Sequence, residues 1–190
     1  MSEGIMNTPY TWTWSEYARF PDDGNRYEVI DGEVLVTPAP TPTHQHVLGS
    51  LFRVLAPFVE AHGLGWVLLD VDLLFRTGQF LRPDLVVVPA AHRHGITDRG
   101  IELPPELIVE VVSPTSASID RVKKPRRYGE FGVPEYWAVD PHLKAVDVWR
   151  FRAGRTEPAR VADTLVWQPR GAEEALVVDL QRVFAPIVSS

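Results

Sequence analysis

The stretch Leu107–Val112 reads LIVEVV and decides the fold that we expect for this chain. Five of its six residues are aliphatic, and most of these are β-branched. Such a run predicts a strand that is buried on both faces of a sheet. Glu110 lies in the middle of the run, where a carboxylate without a partner costs roughly several kcal/mol in lost hydration. The sequence therefore predicts that a basic side chain or a metal ion balances Glu110.

A second acid, Asp84, lies at the start of another aliphatic run, Pro83–Val88. Neighbouring strands are about 4.8 Å apart, so two carboxylates that face each other across them can share one ion. Asp84 and Glu110 are thus candidate ligands for a divalent metal, with the backbone carbonyl of Val111 as a further oxygen ligand. Asp70 is a reserve candidate. Two alternatives stay open: Asp84 could cap a turn, and Glu110 could pair with an arginine such as Arg82 or Arg126.

The composition excludes several classes of site. The chain has 190 residues, which is enough for one domain with a substantial core. It contains no cysteine, which excludes disulfides, zinc-thiolate sites and thiol catalysis. No basic segment precedes a long apolar run near the start, and no stretch reaches the length of a membrane span. We therefore expect a cytoplasmic protein without membrane contact.

The charge pattern bears on nucleic-acid binding. The formal net charge of −6 argues against a generally sticky nucleic-acid binder. One segment nevertheless places five cations within seven residues, and we call it the basic run: Arg121, Lys123, Lys124, Arg126 and Arg127. A solvated helix face is the ordinary interpretation of such a run. Because it follows the Glu110 strand closely, a phosphate-binding surface is an equally good interpretation.

The periodicity predicts an α/β sandwich with a mixed sheet and flanking helices. Asp31-Gly32 suits a tight type I′ turn between two N-terminal strands. The remaining predicted elements follow in order: a helix over 43–62, strands over 66–75, 83–88 and 107–112, a helix over 119–131, strands over 135–139 and 145–151, short strands near 165 and 176, and a helical turn from 179. The segments 89–106 and 152–160 are predicted to be loops.

Six stretches, in this order, resemble the Uma-type putative restriction endonuclease family, within the PD-(D/E)XK nuclease superfamily. They are Tyr27–Glu33, His44–Gln45, Pro83–Val88, Leu107–Pro114, Asp120–Tyr128 and Gly132–Pro141. The resemblance implies a restriction endonuclease-like sandwich with an N-terminal β-hairpin. It also implies one domain over residues 1–190, with a nuclease-like core at about 26–152 and short strands and a helical turn at 160–188.

The resemblance further implies a hydrolase of DNA phosphodiester bonds that uses Mg²⁺ or Mn²⁺, with Asp84 and Glu110 as ligands. The superfamily lysine normally stands two residues after the glutamate, where this chain has Val112. In the Uma-type branch it matches Lys124 on the following helix, with Lys123 as the neighbouring alternative. Two further positions match the family pattern as accessory residues: Glu28 and His44. Arg121, Lys123, Arg126 and Arg127 would then contact the DNA backbone.

This chain departs from a simple helix pattern at Pro125, which follows Lys124 directly. Proline disfavours a helical conformation at the preceding residue, so the helix could restart at Pro125 and turn Lys124 away from the acids. That arrangement would favour a catalytically inactive protein that serves as a nucleic-acid or protein interaction module. A hydrolase of another phosphoester is a third reading. A homodimer would suit the cutting of both strands, and one chain leaves the oligomeric state open.

Overall fold

The computed structural model describes residues 10–75, 78–114 and 116–187. A short helix, α1 (Trp14–Tyr17), precedes the predicted hairpin, which forms from β1 (Arg26–Ile30) and β2 (Glu33–Thr37). The two turn residues Asp31 and Gly32 have φ values of 56° and 81°. These left-handed conformations are those of a type I′ turn, so the hairpin prediction is confirmed.

The long helix α2 (Pro42–Ala61) follows, close to its predicted bounds. The predicted strand over 66–75, in contrast, is wrong as a single element. It forms two strands, β3 (Gly65–Leu69) and β4 (Leu73–Phe75), which belong to different sheets. The chain turns between them at Asp70, whose φ is 53°. Aspartate tolerates this left-handed conformation, and the alternating pattern does not reveal it.

The central strands and the second half of the chain largely match the predicted order. The strands are β5 (Gln79–Leu81), β6 (Leu85–Pro89), β7 (Ile96–Thr97), β8 (Gly100–Ile101), β9 (Leu107–Val111), β10 (Glu135–Asp140), β11 (Ala145–Arg150), β12 (Ala159–Val161), β13 (Thr164–Trp167) and β14 (Leu176–Asp179). The helices are α3 (Lys124–Phe131), which a π-helical turn at Ile119–Lys123 precedes, and α4 (Leu180–Val183). The predicted loop at 89–106 therefore contains β7 and β8, and 152–160 contains the start of β12.

The strands form two six-stranded sheets and a separate hairpin. The first sheet has the order β2-β1-β5-β4-β8-β7, the second β12-β11-β10-β9-β6-β3, and β13 pairs with β14. Both large sheets are mixed, because β4 is parallel to β8 and β9 is parallel to β10. The α/β class with mixed sheets and flanking helices is confirmed, although two large sheets share the architecture instead of one.

The strand β9 is interior and carries a core on each face. Leu107, Val109 and Val111 pack with α2 in one cluster, whereas Ile108 and Val112 pack with the hairpin and α3 in another. Because side chains alternate along a strand, Glu110 shares the second face. Its carboxylate is thereby enclosed between the second sheet, the hairpin and α3. No helix within the described residues combines the length with the apolar composition that crossing a bilayer requires.

Candidate active site

Asp84 and Glu110 lie side by side because β6 and β9 pair antiparallel, with Leu85 opposite Val109. Asp84 directly precedes β6, and its Oδ2 accepts a hydrogen bond of 2.8 Å from the backbone amide of Val111. Both acids are almost fully buried, at 2% and 3% exposure. The two acids that the sequence singles out thus occupy one enclosed place, and Val111 lies directly beside them.

Lys124 reaches into the same place. Its Nζ lies 2.8 Å from Oε1 of Glu110, 3.1 Å from Oε2 of Glu28 and 3.5 Å from Oδ1 of Asp120. Lys123 instead points outward, with its Nζ 2.5 Å from Oε2 of Glu33. The lysine beside the acids is therefore Lys124 and not its neighbour.

Pro125 does not turn Lys124 away from the acids, which was the alternative that the sequence left open. Lys124 is helical, with φ −62° and ψ −46°, and its amide bonds to the carbonyl of Ile119 across the π-helical turn. Pro125 falls in the first turn of α3, a position that suits proline, and the backbone carbonyl of Asp120, five residues earlier, accepts a hydrogen bond from the Tyr136 hydroxyl instead. The ion pairs of the buried ammonium oppose the local preference that proline imposes on Lys124.

Two residues that share a helix face with Lys124 belong to the site, although neither was predicted as a site residue. Tyr128 donates a hydrogen bond of 2.6 Å from its hydroxyl to Oε1 of Glu110. Asp120 is 2% exposed, and its backbone carbonyl accepts a hydrogen bond from the Tyr136 hydroxyl. The spacing of 120, 124 and 128, four residues each, is the signal that places all three on one face of a helix.

Asp84 has two basic neighbours. Nη1 of Arg26 donates to Oδ1 at 2.7 Å, and Nε2 of His44 lies 3.1 Å from Oδ2. The Nδ1 of His44 is buried and has no hydrogen-bond partner among the described residues. Nη2 of Arg26 also lies 2.9 Å from Oδ1 of Asp70, which is exposed. The side chain of the reserve candidate Asp70 therefore meets Arg26, a residue that the sequence did not mark, and its backbone amide donates a hydrogen bond of 3.2 Å to the backbone carbonyl of Asp84.

Glu28 joins the hairpin to the site. Its Oε1 accepts a hydrogen bond of 2.9 Å from the amide of Arg82, while its Oε2 faces Lys124. The arginines considered as alternative partners of Glu110 lie elsewhere. Arg82 bonds to Asp72, and Arg126 bonds to Asp31. The cation beside Glu110 is a lysine.

The buried acids outnumber the cations that face them. We call Glu28, Asp84, Glu110 and Asp120 the acid cluster; its basic partners are Lys124, Arg26 and His44. Burial raises the pKa of Glu110 to about 8, and the neighbouring acids add to this against the opposing effect of Lys124. Burial also raises the pKa of Asp120. For Asp84, burial acts in the same direction, but His44 and Arg26 outweigh it and lower the pKa to about 2.

Comparison with known proteins identifies the family of this chain and its fold. The model of the Uma2 family, described as "Putative restriction endonuclease", matches residues 14–181. The chain belongs to the Uma2 family. A crystal structure of "a putative nuclease belonging to DUF820" from Anabaena variabilis ATCC 29413 shares the fold with a TM-score of 0.77 and 21% sequence identity, over 93% of this chain and 98% of that chain. No protein of curated function matches the chain.

The acid cluster of this Uma2 protein offers carboxylate oxygens, the type of ligand that Mg²⁺ prefers. Over the described ranges, no three or more His, Asp or Glu side chains form a ready-made metal-binding group. Mg²⁺, however, commonly uses one or two carboxylates and completes its coordination with water and substrate phosphate. Asp84 and Glu110 are such a pair. Burial, and after it the neighbouring acids, raise the pKa of Glu110, and a cation added beside this carboxylate would oppose that shift.

The side chains of the basic run form ion pairs with several different acids of this Uma2 protein. Arg121 bonds to Asp140 at 2.7 Å and to Asp147 at 2.9 Å. The other members outside the acid cluster pair as follows: Lys123 with Glu33, Arg126 with Asp31, and Arg127 with Asp31 and Glu130. Each of the four residues predicted to contact DNA therefore already has an anionic partner within the chain.

Proposed function

We propose that this protein is a metal-dependent endonuclease that hydrolyses DNA phosphodiester bonds, with Asp84 and Glu110 as ligands of Mg²⁺ or Mn²⁺. Lys124 is the catalytic cation. The observation that carries the proposal is the meeting of these three side chains, from three separate elements, in one buried place. Membership of the Uma2 family supports the same reaction class.

Each residue has a distinct part in the proposed reaction. When bound, the metal lowers the pKa of a water molecule and stabilises negative charge on the phosphate. Asp84 and Glu110 supply the carboxylates that hold it, and the carbonyl of Val111 is a further proposed ligand. Lys124 offsets the charge that develops on the phosphate as the phosphorus–oxygen bond breaks. Glu28 and Asp120 position the ammonium of Lys124, and His44 orients Asp84.

The proposed substrate contact is through the DNA backbone. The four cations proposed to bind phosphate all lie within three residues of Lys124, so phosphates bound to them would lie next to the site. They are Arg121, Lys123, Arg126 and Arg127. Arginine binds phosphate through two parallel hydrogen bonds, which suits this role. A homodimer, which would present one site to each strand, is part of the proposal, and sedimentation of the purified protein tests it.

Nicking of supercoiled plasmid DNA tests the proposed activity. We expect the wild-type protein to nick the plasmid with Mg²⁺ or Mn²⁺ and to lose this activity in EDTA. The Glu110→Ala variant should be inactive although a circular-dichroism melt shows that it is folded. Glu130→Ala is the matched control, because Glu130 is an exposed glutamate on α3 that pairs with Arg127. Undiminished nicking by the Glu110 variant would remove Glu110 from the mechanism.

A second candidate function is a catalytically inactive interaction module. The observation in its favour is that Arg26 and Lys124 already contact the two candidate ligands. Titration with Mn²⁺ separates the two candidates, since an inactive module does not require a metal at the acid pair. Binding of Mn²⁺ that Glu110→Ala abolishes supports the endonuclease, and its absence supports the module.

A further inference from the structure

The hairpin and the segment 123–127 are joined by a series of ion pairs. Glu28 pairs with Lys124 at 3.1 Å, and Glu33 pairs with Lys123 at 2.5 Å. Asp31, at the turn, pairs with two arginines, Arg126 at 2.9 Å and Arg127. Every one of these pairs places an acid of the hairpin on a cation of the basic run.

The pairs differ in their exposure to solvent. Glu28 and Lys124 are buried within the acid cluster. In the outer pairs, the side chains of Glu33 and Arg126 are 64% and 58% exposed, and that of Lys123 is 37% exposed. Exposed ion pairs contribute little to stability, so another anion can replace the acid at little cost. The pairs of Lys123 and Arg126 are therefore the exchangeable contacts and the inner pair is not, while Asp31 and Arg127 are half-buried, at 23% and 24% exposure.

We propose that Asp31 and Glu33 occupy the positions on Lys123, Arg126 and Arg127 at which nucleic-acid phosphates bind. We call Asp31, Gly32 and Glu33 the hairpin tip. The hairpin tip, which is part of the chain itself, thus competes with the backbone of the substrate for these three cations. This inference rests on the proposed function for the choice of nucleic acid as the ligand.

Charge and geometry support this exchange. The three cations Lys123, Arg126 and Arg127 pair with three acids, which are Asp31, Glu33 and Glu130. The surface that they form is therefore neutral with the hairpin tip in place and carries two positive charges without it. Asp31 bridges two guanidinium groups, which is how a phosphate is commonly held. The Nε of Arg127 is buried without a hydrogen-bond partner among the described residues. A phosphate has more acceptor oxygens than a carboxylate and could satisfy that donor.

The alternative is a purely structural clamp, in which the acids only hold the hairpin on α3. The two roles predict opposite effects when the tip loses its charge. A competitor's removal strengthens DNA binding, whereas loss of a clamp weakens it or leaves it unchanged. The turn allows a clean substitution, because asparagine before glycine is the preferred sequence of a type I′ turn.

The test compares the double variant Asp31→Asn, Glu33→Gln with the wild-type protein. A short fluorescein-labelled DNA duplex is titrated in EDTA, so that no cleavage occurs, and binding is followed by fluorescence anisotropy. We expect the dissociation constant to fall about tenfold at low ionic strength. A plot of the logarithm of the association constant against the logarithm of the salt concentration should have a slope that is more negative by about one to two. Adding Arg126→Ala and Arg127→Ala to the double variant should remove the gain.

The matched control is Glu173→Gln, Glu174→Gln, which changes the net charge equally on an exposed loop between β13 and β14. A gain no larger than in this control overturns the proposal, as does weaker binding or no binding in any variant. Melting curves verify folding, and Asp31→Asn alone is measured if the double variant unfolds. Because the assay needs neither metal nor cleavage, its outcome is independent of the nicking test: either proposal can fail while the other stands.

Discussion

The Nζ of Lys124 lies 2.8 Å from Oε1 of Glu110, and both side chains are only 4% exposed. The pair joins the first turn of α3 to the interior strand β9. Two further acids, Glu28 and Asp120, share the same ammonium. Removal of one member of such a buried set leaves the others without compensation, which is far more costly than loss of a surface pair.

Lys124→Met should therefore lower the free energy of unfolding by about 3–5 kcal/mol, because three buried acids lose their shared cation. Lys123→Met is the control, since its partner Glu33 is exposed, and it should change that free energy by no more than about 1 kcal/mol. Urea unfolding of the two variants measures both values. Equal effects would show that Lys124 is not the centre of the acid cluster.

Tyr128→Phe should lower the free energy of unfolding by about 1–3 kcal/mol, because Glu110 loses a buried hydrogen-bond donor. The ring remains, so its contacts with Phe75 and Tyr136 are kept. Tyr27→Phe removes a hydroxyl that bonds to exposed Asp23 and should have an effect within about 0.5 kcal/mol. Thermal or urea unfolding compares them, and a neutral Tyr128 variant would contradict the importance of this bond.

The stability of the metal-free protein should fall as the pH rises from about 5 to about 8. An unfolded glutamate loses its proton near pH 4.3, whereas folded Glu110 keeps its proton until its pKa of about 8. The folded state therefore binds more protons over this range, and increasing pH favours unfolding. Glu110→Gln should reduce this slope, and Glu130→Gln should not. A slope in the Glu110 variant equal to that of the wild type would show that another group carries it.

Arg26→Met should tighten Mn²⁺ binding by about three- to tenfold, or about 0.7 to 1.4 kcal/mol. In the wild-type protein, Arg26 occupies Oδ1 of Asp84, where the proposed metal needs an oxygen, so binding of the metal has to displace this contact. Calorimetry measures the affinity without reference to catalysis. Arg82→Met is the control, because Arg82 pairs with Asp72. Weaker binding by the Arg26 variant would mean that this arginine orients Asp84 instead of competing for it.

Local patterns in the sequence were sufficient for much of the fold. The aliphatic run around Glu110 predicted the buried strand, and Asp31-Gly32 predicted the hairpin, because strand periodicity and turn conformation depend on adjacent residues. Asp84, Glu110 and Lys124 were selected from the sequence and lie together in the structure. Their proposed roles remain predictions.

Other features were decided only by the tertiary structure. Asp70 divides a predicted strand between two sheets, because its left-handed backbone leaves no mark on the hydrophobic pattern. The contact of Arg26 with Asp84 joins residues 58 positions apart, and that of Arg126 with Asp31 joins residues 95 apart. The sequence alone determined which residues are ionisable and where most of the strands and helices lie, since these follow from composition and short-range periodicity. Which charges neutralise one another was decided by packing, because a charged side chain pairs with whatever the fold places beside it.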